Sequence, residues 1–120
     1  MKPHSKTLLL PIISNLSDKQ TLIRNEAMTA LDKFSNVVGS DIIINCMVSY
    51  LTEDSIELRK SIILWILNNP EGFKKSEIKN FVHPILHCLI DKNKEIRTIT
   101  EKLLELAVED IGTEPFNFAT

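Results

Sequence analysis

The chain has 120 residues, the size of one ordinary globular domain. Hydrophobic residues make up 43% of it and charged residues 25%, a balance typical of a soluble domain with a buried core. Fourteen Lys and Arg stand against sixteen Asp and Glu, so the net charge of −2 gives no bias toward nucleic acid or a membrane surface. The three glycines are far apart in the sequence, which excludes a glycine-rich phosphate-binding loop.

The apolar segments are short, and the cysteines lie within them. The longest apolar runs, residues 8–13 and 62–67, are far too short to span a membrane. Cys46 and Cys88 have no metal-like spacing, so we expect buried thiols in a reducing compartment rather than a disulfide. These features predict an intracellular protein.

The first third of the chain predicts two helices. Aliphatic residues recur every three or four positions from Leu8 to Leu16 and again from Leu22 to Val38, the period of a helix with one buried face. Leu22 is expected on the buried face of the second helix. Gly39 follows that helix, where a glycine commonly forms the C-terminal cap.

The remaining two thirds predict two further helix pairs. The middle stripes run over residues 42–51 and 58–66, and Asn-Pro-Glu-Gly at 69–72 then breaks the chain. The last stripes run over residues 78–89 and 96–106, and Gly112 closes the pair. Since no strand-like alternation occurs, we predict an all-α fold of six helices in three hairpins.

The three pairs share one sequence pattern. Residues 11–19 align without a gap with residues 84–92, placing Pro11 on Pro84 inside the first helix of each pair, and a middle copy aligns around residues 51–59. Recurrence in register predicts a stack of hairpins within one domain. We place the repeats at about residues 5–39, 40–72 and 73–112, followed by a tail at 113–120.

Within the pattern, an acid precedes an arginine by six residues. Stacked hairpins would line these charges up, so that each arginine can pair with an acid of its own or the adjoining copy. We predict a structural ladder; the alternative is a set of unrelated solvated charges. Its members are Asp18 and Arg24, Glu53 and Arg59, and Asp91 and Arg97.

The proline, the acid and the arginine resemble HEAT repeats, which implies an α-solenoid. Residues 88–97, Cys-Leu-Ile-Asp-Lys-Asn-Lys-Glu-Ile-Arg, resemble a late repeat of the TOG domains of microtubule polymerases and CLASP proteins. The HEAT resemblance covers nearly the whole chain, and the TOG resemblance covers residues 58–112. TOG domains bind αβ-tubulin, so the resemblance implies a non-enzymatic, cytoplasmic and cytoskeletal module that regulates microtubule dynamics. The alternative is a HEAT scaffold for a non-tubulin protein.

TOG domains contact tubulin through the short turns that join the helices of each hairpin. In this chain we name residues 17–21 the first turn, residues 52–55 the second and residues 91–94 the third. Lysines there would be attracted to the acidic surface of tubulin; ordinary solvated turn residues are the alternative. The resemblance assigns partner contacts to Lys19, Gln20, Lys92, Asn93 and Lys94.

The chain departs from the TOG pattern in three ways. The second turn is acidic at Glu53 and Asp54 and would repel tubulin. A complete TOG domain has twice as many repeats, which implies a C-terminal half or a divergent domain. The family's tubulin-contacting Trp lies in the first turn, whereas Trp65 falls in a second helix, where we expect it to pack.

No residue set predicts catalysis, a metal or a cofactor. His83 and His87 have a spacing that can bind zinc, but no third ligand is evident and Pro84 stands where a catalytic glutamate would be. The nucleophilic side chains have no evident base. The apolar start at residues 8–10 and the aromatic tail at 115–118 predict contact with further repeats or a second copy.

Overall fold

The computed structural model describes residues 3–112, and all regular structure in that range is helical. The all-α prediction is therefore confirmed for these residues. The helices are α1 (Pro3–Ser14), α2 (Thr21–Val38), α3 (Ser40–Met47), α4 (Ile56–Leu67), α5 (Pro70–Lys75), α6 (Val82–Leu89) and α7 (Lys94–Ile111). Short 3₁₀ segments extend α1 through Asn15–Ser17 and α3 through Val48–Thr52, and another at Ile78–Phe81 leads into α6. None of the described helices is long and apolar enough to cross a bilayer.

The prediction of six helices is wrong by one, because α5 forms where a break was expected. Pro70 lies in the first turn of α5, where its missing N–H would have no helical partner in any case. Phe73 is fully buried and anchors the helix in the core. The expected breaker residues therefore start a helix as well as ending one.

Gly72 lies inside α5, where the absence of a side chain allows two helices to pack closely. A Cβ at this position would stand 2.0 Å from Ser40 Oγ and 2.6 Å from Ser40 Cβ. Both distances are below any that real side chains adopt, so only glycine lets α5 approach the N-terminus of α3 this closely.

The other two glycines end helices, as the sequence predicts. Gly39 has φ +95° and Gly112 has φ +81°, the left-handed region that glycine enters at no steric cost. Each donates its N–H to a carbonyl four residues earlier, Ser35 and Val108 respectively, at 2.9 Å.

The two aligned prolines occupy different surroundings. Pro11 lies inside α1, as expected. Pro84 also lies inside its helix, but in the first turn of α6, which begins at Val82. In a first turn the ring displaces no helical hydrogen bond, and no kink is required.

One continuous apolar core joins the helices, with α4 at its centre. α4 packs against α7, and α3 packs against α5. Trp65 of α4 is 1% exposed, and its indole Nε1 donates to Asp32 Oδ1 of α2 at 2.9 Å. The prediction that Trp65 packs within the protein is confirmed. The aromatic tail and the side chain of Leu8 lie outside the described residues.

Candidate partner-binding surface

The backbone of the first turn is held by a carboxylate and a guanidinium. Asp18 Oδ1 accepts the N–H of Gln20 at 2.8 Å. Arg24 Nη1 donates to the carbonyl oxygens of Asp18 at 2.7 Å and Lys19 at 3.1 Å. Hydrogen bonds from a charged donor are strong, so the turn is fixed while the side chains of Lys19 and Gln20 remain exposed.

The third turn repeats this arrangement. Asp91 Oδ1 accepts the N–H of Asn93 at 2.8 Å. Arg97 Nη1 donates to the carbonyl oxygens of Asp91 at 2.7 Å and Lys92 at 3.1 Å. Lys92 is exposed, as is Lys94 at the start of α7. Two turns far apart in sequence therefore have the same backbone hydrogen bonds to an acid and an arginine, and both carry exposed lysines.

A buried ion pair connects the second turn to the third. Arg59 Nη1 donates to the carbonyl oxygen of Glu53, and Arg59 Nη2 lies 2.8 Å from Asp91 Oδ2. The two side chains are 9% and 8% exposed, so the pair is shielded from water. Arg59 Nε has no hydrogen-bond acceptor among the described residues.

More exposed ion pairs connect the second helix of one copy to that of the next. Arg24 Nε lies 3.6 Å from Glu57 Oε2, and Lys60 Nζ lies 2.5 Å from Glu95 Oε2. Arg24 therefore pairs with Glu57 at the start of α4. Glu53 contacts a guanidinium, that of Arg59, only through its main-chain carbonyl oxygen. Arg97 forms no ion pair within residues 3–112.

Asn93 differs from the other residues assigned to partner contact. It is half-buried, and its Oδ1 accepts the N–H of Ile96 at 3.1 Å, which caps α7. Ser55 does the same for α4, since its Oγ accepts the N–H of Leu58 at 3.2 Å. The preference of Asn and Ser for the residue before a helix is the sequence signal for this role.

Exposed aliphatic side chains lie beside all three turns, and sequence reasoning missed them. Leu22 is 67% exposed, Ile56 44% and Ile90 82%. The expectation that Leu22 lies on the buried face of α2 is wrong, because the buried residues Ala27 and Leu31 lie about 140–180° around the helix from it. The sequence signal for the exposure of Ile56 and Ile90 is that neither residue belongs to an apolar helical stripe.

A groove of about 490 Å³ lies between the second and third turns. Ile56 and Ile90 contribute apolar surface to it, and Glu53 and Asp54 contribute carboxylates. Arg59 also lines it. The arrangement is suited to non-covalent recognition of a protein surface.

Among the side chains that the structure describes, the thiols and imidazoles form no evident reactive centre. Burial raises the pKa of the Cys88 thiol to about 11, and its Sγ lies 3.5 Å from the carbonyl oxygen of Leu51. Cys88 is therefore a neutral thiol at physiological pH, and Cys46 is only half-buried, against the expectation that both are buried. His83 and His87 are exposed on α6, and no cluster suited to a metal ion occurs among the residues described.

The chain is similar to part of one known protein. No family model and no solved structure matches the chain. Centrosomal protein 224 of Dictyostelium discoideum is 26% identical to it over 113 residues, which cover 90% of this chain. The chain spans 6% of the length of that relative. The likeness therefore extends over nearly all of this chain and a small part of a much larger protein.

Proposed function

We propose that this chain is a non-enzymatic, HEAT-type protein-binding module that resembles a TOG domain, binds αβ-tubulin through its turns and regulates microtubule dynamics in the cytoplasm. The observation that carries the proposal is the pair of identically clamped turns that present Lys19 and Lys92. The description of the relative as a centrosomal protein supports a cytoskeletal setting.

The physical basis is a pair of preorganised turns that carry exposed lysines. The clamps of Arg24 and Arg97 hold the turn backbone before any partner arrives, so binding orders little more than the lysine side chains. An acidic partner such as tubulin is attracted to these lysines, which raises the rate of encounter. Binding is expected to weaken as salt screens the charges.

Tubulin affinity of a lysine-to-alanine pair tests the proposal. Lys92→Ala/Lys94→Ala removes two exposed charges from the third turn, and we expect the affinity for purified αβ-tubulin to fall about tenfold. Lys74→Ala/Lys75→Ala is the matched control. These two exposed lysines are the last residues of α5 and do not belong to any of the three turns. Fluorescence anisotropy at low salt measures both. Absence of wild-type binding, or equal losses in the two variants, would overturn the proposal.

A second candidate is a scaffold of the same architecture for a non-tubulin protein. It is favoured by the acidic second turn, where Glu53 and Asp54 are both exposed and would repel an acidic partner. Failure of wild-type protein to co-elute with tubulin on size exclusion, together with capture of another cytoskeletal protein that the Lys92→Ala/Lys94→Ala variant loses, would favour the scaffold.

A further inference from the structure

Two exposed isoleucines line the groove between the second and third turns. Ile56 begins α4, Ile90 follows α6, and both line the same groove. Ile90 is 82% exposed, although moving a large aliphatic side chain out of water lowers the free energy. The apolar part of the groove is therefore suited to an aliphatic side chain of a partner.

The unpaired charge beside these isoleucines is mainly acidic. Glu53 and Asp54 are exposed and form no ion pair within the described part of the chain. Arg59 and Asp91 neutralise each other at 2.8 Å. Lys92 and the imidazole of His87 also line the groove, so the carboxylates of Glu53 and Asp54 share it with one ammonium group. A cationic group on the partner complements this rim.

The guanidinium of Arg59 is already engaged inside the protein. Arg59 lines the groove and is 7% exposed, and its two Nη atoms contact the carbonyl oxygen of Glu53 and Asp91 Oδ2. Its Nε has no acceptor among residues 3–112, but this atom is buried and does not reach the groove. Recognition in the groove therefore depends on the isoleucines and the acidic rim.

We propose that this groove binds a segment of a partner protein in which an aliphatic residue is adjacent to a lysine or arginine. The aliphatic side chain packs on Ile56 and Ile90, and the cation faces Glu53 and Asp54. The inference deepens the proposed function, on which it rests for the identity of the partner. It also reverses the expectation that the acidic second turn only repels.

An array of short synthetic peptides tests the groove without tubulin. In these peptides one position is either an aliphatic or a polar residue, and the next position is either a basic or an acidic residue. The fluorescently labelled wild-type chain is the probe. We expect retention on aliphatic–basic pairs. Ile90→Ser should weaken it about tenfold, and Glu53→Gln/Asp54→Asn should remove the preference for the basic residue.

Matched controls come from exposed residues elsewhere. Val37→Ser alters an aliphatic residue that is 84% exposed on α2, and Glu109→Gln/Asp110→Asn removes an adjacent acid pair near the end of α7. Neither control should change the array. Circular dichroism verifies that every variant is folded. Preference for acidic peptides, no preference at all, or equal effects of control and groove variants would overturn the inference.

Tubulin binding of the same variants separates this inference from the proposed function. If tubulin places a basic segment in the groove, Glu53→Gln/Asp54→Asn lowers its affinity; if the acids only repel tubulin, the affinity rises and the inference is overturned. A wild-type chain that selects aliphatic–basic peptides but does not bind tubulin leaves the groove supported and refutes the proposed function alone.

Discussion

At residue scale, position 72 shows how one missing methyl group sets the distance between two helices. The backbone of Gly72 approaches Ser40 so closely that a Cβ would lie 2.6 Å from the Ser40 Cβ. A larger residue at position 72 requires the backbone to move, because Ser40 Cβ is attached directly to the main chain and is not the end of a flexible side chain. The close approach joins α5 to the start of α3 and is a tertiary constraint on a residue type.

We expect Gly72→Ala to lower the free energy of unfolding by about 1–3 kcal/mol, the cost of overpacking a filled site. Urea denaturation followed by circular dichroism measures the change. The double variant Gly72→Ala/Ser40→Gly removes the opposing side chain and should recover much of the loss. A double variant that is no more stable than Gly72→Ala would show that the contact with Ser40 is not the cause.

At element scale, the ion pairs between helices differ in burial. Arg59 and Asp91 are nearly inaccessible and 2.8 Å apart, whereas Arg24 and Glu57 are 21% and 47% exposed and 3.6 Å apart. Water screens the exposed pair, and it also hydrates either residue once the other is removed. A buried charge without its partner has no such compensation.

We therefore expect Asp91→Asn to lower the free energy of unfolding by about 3 kcal/mol, because it leaves the Arg59 charge buried and uncompensated. Glu57→Gln, the matched exposed variant, should cost less than about 0.5 kcal/mol. Urea midpoints of the two variants measured in parallel test this difference. Equal shifts of the two midpoints would contradict a dominant role for burial.

At the scale of the whole molecule, α4 connects both ends of the core. Its residue Trp65 is hydrogen-bonded to α2 through Asp32, while α4 itself packs against α7. The buried apolar residues form one cluster that contains members from α1 to α7. A single cluster of this kind favours cooperative unfolding, in which no helix pair melts by itself.

We expect the fluorescence of Trp65 and the far-ultraviolet circular dichroism to follow the same urea transition. Trp65 is the sole tryptophan, so its emission reports the packing around this one side chain, which includes its hydrogen bond to α2, whereas circular dichroism reports all helices. Coincident midpoints would support one cooperative unit. A fluorescence transition that precedes the loss of helicity would contradict it and indicate that the hairpins unfold separately.

The sequence by itself determined the helical class, the ends of α2 and α7 and the recurring acid and arginine. These features are local: a helical period, a cap such as Gly39 and a turn closed by Asp18 involve residues only a few positions apart. The resemblance to known repeats then indicated which turns to consider, and the side chains of Lys19 and Lys92 are exposed in them.

Only the tertiary structure decided the rest, because it depends on which distant residues meet. The closeness of Gly72 to Ser40, the pairing of Arg24 with Glu57 and the exposure of Leu22 follow from how helices pack and where the core ends. The groove is made from two turns that are far apart in sequence. No periodicity within one helix can predict such a surface, since its shape and charge arise between elements.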